Sequence, residues 1–229
     1  MEVLRKILTV CVLTLVACSH ETAIDMLHEA ELTVQEVSFS SWRSIENSRK
    51  ATVRVVSASS DIGTSMGSGA LIKYKKKEAV ITAAHVVEGS SKVIVSTDSQ
   101  TVLAKVVYFD KESDIAILIP EEKLDRKPIL WSVSDLYYGQ EVVYTGFPNG
   151  YDNLSIKGYV SGSMGDRIVI HSYAWGGASG SLVIDSKGKV VGVVSAIDLA
   201  QGVFGMPQIV EDLVIVAPVH NLDLDSILN

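Results

Sequence analysis

Cysteine is nearly absent from this chain of 229 residues, and the two present, Cys11 and Cys18, both lie in its opening segment. Everything after residue 18 therefore folds without an internal disulfide and is held by its core alone. Proline is scarce too, at five residues, while 47% of the chain is hydrophobic and 21% charged, which excludes a low-complexity or disordered protein. Positive charge is in deficit: 20 Lys and Arg against 27 Asp and Glu give a net charge of −7. That balance argues against broad attraction to nucleic-acid phosphates, and no nucleic-acid partner is expected. The one long apolar run, Ile7 to Ala17, is too short to cross a bilayer comfortably.

That run has a specific setting. In MEVLRKILTVCVLTLVACSH, Arg5 and Lys6 precede the apolar stretch and Cys18 follows it, the layout of a signal peptide. Leu15-Val16-Ala17-Cys18 resembles the bacterial lipobox, which implies removal of residues 1–17, lipidation of Cys18 and a membrane anchor through that lipid. The expected location is the cell envelope, on the periplasmic face of the outer membrane if the host has two membranes. Ordinary secretion with later cleavage and an uncleaved anchor are the alternatives. Residues 18–49 read as a lipidated tether and N-terminal segment, with a short amphipathic helix that puts Ile24, Leu27, Ala30 and Leu32 on one face.

From residue 50 to 229 the pattern changes. Twelve short runs rich in β-branched residues, from ATVRVVSA to LVIVAPV, are separated by Gly, Ser, Asn and Asp, with almost no helical periodicity between them. This predicts an all-β domain of barrels or sandwiches. DSKGKVV reads as a hairpin, and the basic cluster Lys73, Lys75, Lys76 and Lys77 as a solvated hairpin turn between two strands.

AWGGASGSLVID gives up side chains from Gly176 to Ser181 around one hydroxyl, Ser179. Small residues let backbone N–H groups converge on a developing negative charge, but a glycine-rich turn between two strands accounts for that segment equally well. A serine nucleophile needs a base, and the base needs an acid to hold its tautomer. His85, in AVITAAHVVEG, ends an apolar strand, and Asp114, in FDKESDIAILIP, begins one. Taken singly, the histidine reads as structural and the aspartate as a turn residue. The other histidines, His20, His28, His171 and His220, are scattered without metal-ligand spacing, so neither a metal nor a cofactor is expected. His171 lies close enough in sequence to the glycine-rich turn to touch a substrate.

Together, TAAHV, SDIAIL and GASGS in this order resemble the trypsin-like serine peptidases, most closely the bacterial HtrA or Deg type without a peptide-binding PDZ domain. GSGALI, GQEVVYTGFP and VVGVVSAI extend the likeness across residues 51–222. An α/β-hydrolase would need the serine first and helices between its strands. The resemblance implies two six-stranded antiparallel β-barrels with the active site between them, and polypeptide substrates. It implies the catalytic set His85, Asp114 and Ser179, an oxyanion hole from the N–H groups of Gly177 and Ser179, and a hydroxyl, Ser195, beside the acid. Substrate would pair with the strand Val194 to Ile197, placing Ser195, Ala196, Ile197 and Tyr173 at the substrate-binding cleft. No acidic residue stands at an obvious pocket floor, so small or medium apolar side chains are the expected preference. Ala178 departs from the acid that trypsins carry there, and Ser181 from a common second glycine. A catalytically degenerate relative that binds peptides or partners without cutting them is the competing function.

Overall fold

The computed structural model describes residues 42–59, 63–201 and 207–229, and for 196–201 and 207–211 the backbone path alone. The expected leader, the expected lipidation at Cys18 and the amphipathic helix expected around Ile24 to Leu32 all lie outside the described residues.

A helix over residues 42–51, α1, runs straight into β1 (Thr52–Ser59). The sequence reading placed no helix there. Buried hydroxyls in it and at its end explain how a polar segment packs: Ser44 Oγ donates to the Ser186 carbonyl at 2.8 Å, and Thr52 Oγ1 of β1 to the Ser48 carbonyl at 2.7 Å. The chain continues through β2 (Gly63–Tyr74), β3 (Lys77–Thr82), the single turn α2 (Ala84–Val87), β4 (Lys92–Ser96), β5 (Thr101–Asp110) and β6 (Ile115–Pro120). These strands hydrogen-bond in the order β1-β4-β5-β6-β3-β2, and β1 also pairs with β2, so the sheet closes. A second closed barrel follows, from β8 (Glu141–Gly146), β9 (Leu154–Met164), β10 (Arg167–His171), β11 (Leu182–Asp185), β12 (Val190–Gln201) and β13 (Pro207–Pro218), in the order β10-β13-β12-β11-β8-β9. The short helix α3 (Leu224–Leu228) ends the chain. The all-β, two-barrel architecture expected from the resemblance is the one observed.

The continuous apolar runs have a physical cause. Successive strand residues point to opposite faces, and in β8 from Val142, in β11 and in β12 as far as Ser195 both faces are buried. Val143, Leu182, Ile184 and Val193 join a cluster with Val53, Leu71, Ile81 and Ile117 of the first barrel. Their neighbours Tyr144, Val183 and Val194 turn the other way, into the second barrel's own core with Val160, Ile170 and Val216. One apolar layer thus welds the barrels together.

The connection between them is bonded to both. β7 (Ile129–Leu130) pairs in parallel with β2, and Trp131 N–H donates to the Lys73 carbonyl at 2.9 Å. At the next residue, Val190 N–H donates to the Ser132 carbonyl at 2.7 Å, and two further on Ser134 N–H donates to the Val190 carbonyl at 2.8 Å.

The lysine cluster forms the β2–β3 turn, as read. Lys75 pairs with Asp225 of α3 and Lys77 donates to the Leu228 carbonyl, so the turn also seats the terminal helix. The DSKGKVV hairpin joins β11 to β12, with the Asp185 carboxylate accepting from the N–H groups of Lys187 and Lys189 at 2.8 and 2.9 Å.

Candidate active site

β3 ends at Thr82, and an extended Ala83 (φ −76°, ψ 143°) starts the single turn α2. Ala84, Val86 and Val87 are buried by that turn, which leaves His85 as its outward residue. Asp114 stands one residue before β6 with φ +57°, a conformation that aspartate tolerates better than most side chains. Its carboxylate accepts from His85 N–H at 3.0 Å and faces His85 Nδ1 at 3.0 and 2.9 Å. Ser195, on β12 of the other barrel, donates its hydroxyl to the same carboxylate. Burial pushes the Asp114 carboxyl up, but the bonds from the His85 ring, the Ser195 hydroxyl and the His85 N–H outweigh it and leave the group below its ordinary value. The acid side chain is 13% exposed and the His85 ring 43%, so one edge of the imidazole is open while its anchor is shielded.

The loop ahead of Asp114 is held from the second barrel. Arg167, the first residue of β10, donates from Nη1 to the Ser113 carbonyl at 2.5 Å and from Nη2 to the Glu112 carbonyl. A planar guanidinium suits this task, because two of its donors reach two successive acceptors in one plane.

Ser179 sits in the turn between β10 and β11. Ala178 N–H donates to the Trp175 carbonyl at 2.9 Å and Ser181 N–H to the Ala178 carbonyl at 3.0 Å. Outside the turn, Ser68 N–H donates to the Ser179 carbonyl at 2.7 Å and Gly180 N–H to the Val194 carbonyl at 2.8 Å. Gly180 has φ +88°, and a Cβ there would lie 2.0 Å from the Ser68 carbonyl oxygen and 3.1 Å from Ala83 N. The serine turn therefore lies backbone to backbone against the start of the histidine turn. Among the described residues no hydrogen bond joins the Ser179 hydroxyl to the His85 ring. Such bonds are often long in a resting site and tighten with substrate.

Gly177 has φ +92°, and a Cβ there would lie 2.5 Å from the Phe147 carbonyl oxygen, so glycine is required on both counts. Asn149 N–H donates to the Gly176 carbonyl at 2.6 Å. In a trans peptide the N–H points away from the C=O, so this bond directs the Gly177 N–H to the opposite side. Among the described residues neither Gly177 N–H nor Ser179 N–H has an acceptor, which leaves two adjacent donors available beside one hydroxyl. Ala178 is fully buried in the second barrel's apolar cluster, in keeping with the absence of an acid there. The Ser181 hydroxyl is buried without a partner among the described residues, and a Cβ on the facing Gly146 would lie 2.1 Å from it.

Of the expected substrate contacts, Tyr173 is half-exposed and stacks on Trp175 with ring centres 6.3 Å apart. Ala196 and Ile197 continue β12, opposite Ile215 and Val214, and their side chains lie outside the described residues. The Ser195 hydroxyl is engaged by Asp114, the position expected beside the acid. His171 stacks on Tyr159 at 5.0 Å. Among the described residues no cluster of three His, Cys, Asp or Glu is placed to hold a metal ion. Arg167, Asn149 and Ser68 were not singled out from sequence; Ser68 stands in the GSGALI run, but a serine between glycines carries no local signal of its long-range partners.

The trypsin-like peptidase domain model matches residues 67–193. The chain is 36% identical over 151 residues to "Protease Do-like 1, chloroplastic" of Arabidopsis thaliana, covering 57% of this chain and 33% of that protein. It is 34% identical over 161 residues to "Serine protease Do-like HtrA" of Bacillus subtilis, covering 61% of this chain and 35% of the relative. The chain thus spans about a third of the length of these curated relatives. Among solved structures, the active form of the Rv3671c protease from M. tuberculosis superposes with a TM-score of 0.64 at 24% identity, over 76% of this chain and 78% of that one, a likeness of fold. With two closed barrels, a His–Asp pair on the first, a serine turn on the second and a family match over more than half its length, the chain belongs to the trypsin-like peptidase domain family.

Proposed function

We propose that this chain is a serine endopeptidase that cleaves polypeptides through His85, Asp114 and Ser179. The observation that carries the reading is the pair of N–H groups, Gly177 and Ser179, without an acceptor among the described residues, beside a hydroxyl whose turn packs against the start of the turn that carries the Asp114-anchored His85. With Nδ1–H committed to Asp114, the other ring nitrogen is left as an acceptor. It takes the Ser179 proton as the hydroxyl attacks the scissile carbonyl, and the carbonyl oxygen, now negative, sits between the two N–H groups. The imidazolium, stabilised by Asp114, then protonates the leaving amine, and the acyl-enzyme is hydrolysed by water through the same steps.

Substrate pairs as an added strand with β12 at Val194 to Ile197, and its side chain enters a pocket bordered by Tyr173, Ala196 and Ile197. Small or medium apolar residues fit a pocket without an acidic floor. The leader supports export, and Cys18 is the lipid-anchor site that tethers the protein to the envelope membrane.

One observation favours the second reading, a latent or degenerate relative that binds peptides without cutting them: no hydrogen bond joins the Ser179 hydroxyl to the His85 ring among the described residues. Labelling with a fluorophosphonate, read by intact mass beside a Ser179→Ala control, decides between them. A single adduct lost in the control supports the peptidase. A folded protein with no adduct overturns it in favour of the binding protein.

A further inference from the structure

We infer that Ser68 is a positioning residue for the oxyanion hole, locking the Gly177 peptides in the donor-inward arrangement. The inference rests on the peptidase reading above and adds to it a residue that neither attacks nor stabilises charge itself.

Ser68 lies on β2 of the first barrel and is fully buried. Its hydroxyl donates to the Gly177 carbonyl at 2.7 Å and accepts from Phe147 N–H at 2.9 Å. Its own N–H donates to the Ser179 carbonyl at 2.7 Å, and its carbonyl accepts from Thr82 Oγ1 at 2.7 Å. One residue thus ties together the end of the histidine strand, the loop after β8, and the carbonyls of both hole-forming residues.

The consequence follows from counting what holds Gly177. Two peptide planes meet at it. The plane before is fixed by Asn149 N–H on the Gly176 carbonyl at 2.6 Å, and the plane after by Ser68 Oγ on the Gly177 carbonyl. Ala178 N–H, in that second plane, is used by the Trp175 carbonyl at 2.9 Å. With these groups spent, the one N–H left over is that of Gly177, which faces the site. A glycine with positive φ has rotational freedom that no side chain restricts. Without Ser68 the second plane loses its one side-chain anchor among the described residues, and the Phe147 N–H, on the loop that also carries Asn149, loses its acceptor. Both failures loosen the same N–H. A buried hydroxyl that is donor to one loop and acceptor from the other is therefore a lock on catalysis rather than on substrate binding.

The test is the Ser68→Ala variant of the purified chain, measured beside wild type and beside Ser134→Ala, which removes a buried hydroxyl bonded to Asp185 at 2.7 Å and outside the hole. The expected result is a fall in kcat of roughly tenfold to a hundredfold, below the roughly hundred- to thousandfold loss of a hole donor itself. KM stays within about twofold, and the midpoint of the acid limb of the pH–rate profile does not move. Fluorophosphonate labelling slows in parallel. Should Ser68→Ala fail to fold, Ser68→Cys, close in size and a weak donor, carries the same expectation. A kcat within about twofold of the Ser134→Ala control overturns the inference, as does a loss accompanied by a shifted acid limb, which would place the effect at His85 and Asp114. Failure of the peptidase reading looks different: wild type itself forms no adduct.

Discussion

Ser195 and Asp114 come from different barrels, and the hydroxyl of the first donates to the carboxylate of the second. The acid is thereby held from both sides of the cleft, by His85 from its own barrel and by Ser195 from the other. Removing the serine hydroxyl leaves the two bonds from His85 in place. Ser195→Ala should raise the Asp114 carboxyl toward its ordinary value and cost about 1.5–3 kcal/mol, the range for a bond to a charged group. Urea denaturation at neutral pH measures the second effect, and carbon NMR of the carboxylate follows the first.

Asp114→Asn keeps the shape but not the charge. An amide offers its NH2 group to the ring as readily as its oxygen, so the imidazole is no longer held with its proton on Nδ1. On the proposed mechanism kcat should fall by roughly 10⁴-fold with the structure intact. Steady-state kinetics with a peptide substrate, beside a Ser179→Ala blank, is the measurement.

Acid should weaken the fold through the same carboxyl. Its value in the folded chain is below its ordinary one, so the unfolded chain binds the proton more tightly. The stabilisation is complete above the unfolded value, about 3.9, and is lost as pH falls from there through the lower folded value. The urea midpoint of wild type should therefore drop more steeply below about pH 4 than that of Asp114→Asn, which has no proton to gain there. Parallel curves for the two proteins would refute this.

The glycines of the serine turn should differ in their tolerance of alanine. At Gly176 an added Cβ meets nothing within 4 Å, at Gly177 it comes within 2.5 Å of the Phe147 carbonyl oxygen, and at Gly180 within 2.0 Å of that of Ser68. Gly176→Ala should fold with a melting temperature near wild type. Gly177→Ala should fold but lose most of its turnover, and Gly180→Ala, blocked by backbone on two sides at φ +88°, should be the least stable of the three. Differential scanning calorimetry ranks the stabilities and fluorophosphonate labelling the site.

Arg167→Lys should behave like Arg167→Gln rather than like wild type. A single ammonium cannot span the Ser113 and Glu112 carbonyls as the guanidinium does. Both variants should lower kcat several-fold with little change in KM; a wild-type kcat in the lysine variant would show that charge alone suffices.

How much of this was legible beforehand follows from the range of each signal. The twelve apolar runs correspond to the twelve barrel strands, because β-branched runs bounded by turn residues are local features. β7 escaped because it is two residues long and owes its strand character to its partner β2. α1 escaped because its buried residues include serines, whose burial is satisfied by carbonyls such as that of Ser186, far away in sequence. His85, Asp114 and Ser179 could be named because TAAHV, SDIAIL and GASGS stand in the order of a known family; singly, the boundary positions of the histidine and the aspartate point to a structural residue and a turn residue. Ser68, Asn149 and Arg167 act through backbone carbonyls, and a carbonyl belongs to every residue, so nothing in a sequence marks which one an arginine or a serine will find.

The segment that joins the barrels bears on how the cleft between them is held. Within a few residues it is hydrogen-bonded first to Lys73 of one barrel and then to Val190 of the other, on top of an apolar layer shared by both. Backbone bonds to both sides oppose a change of angles along that segment, so the two walls of the cleft are held together by main chain as well as by apolar packing. Ser195 and Asp114, which come from opposite barrels, meet across a frame that is already tied.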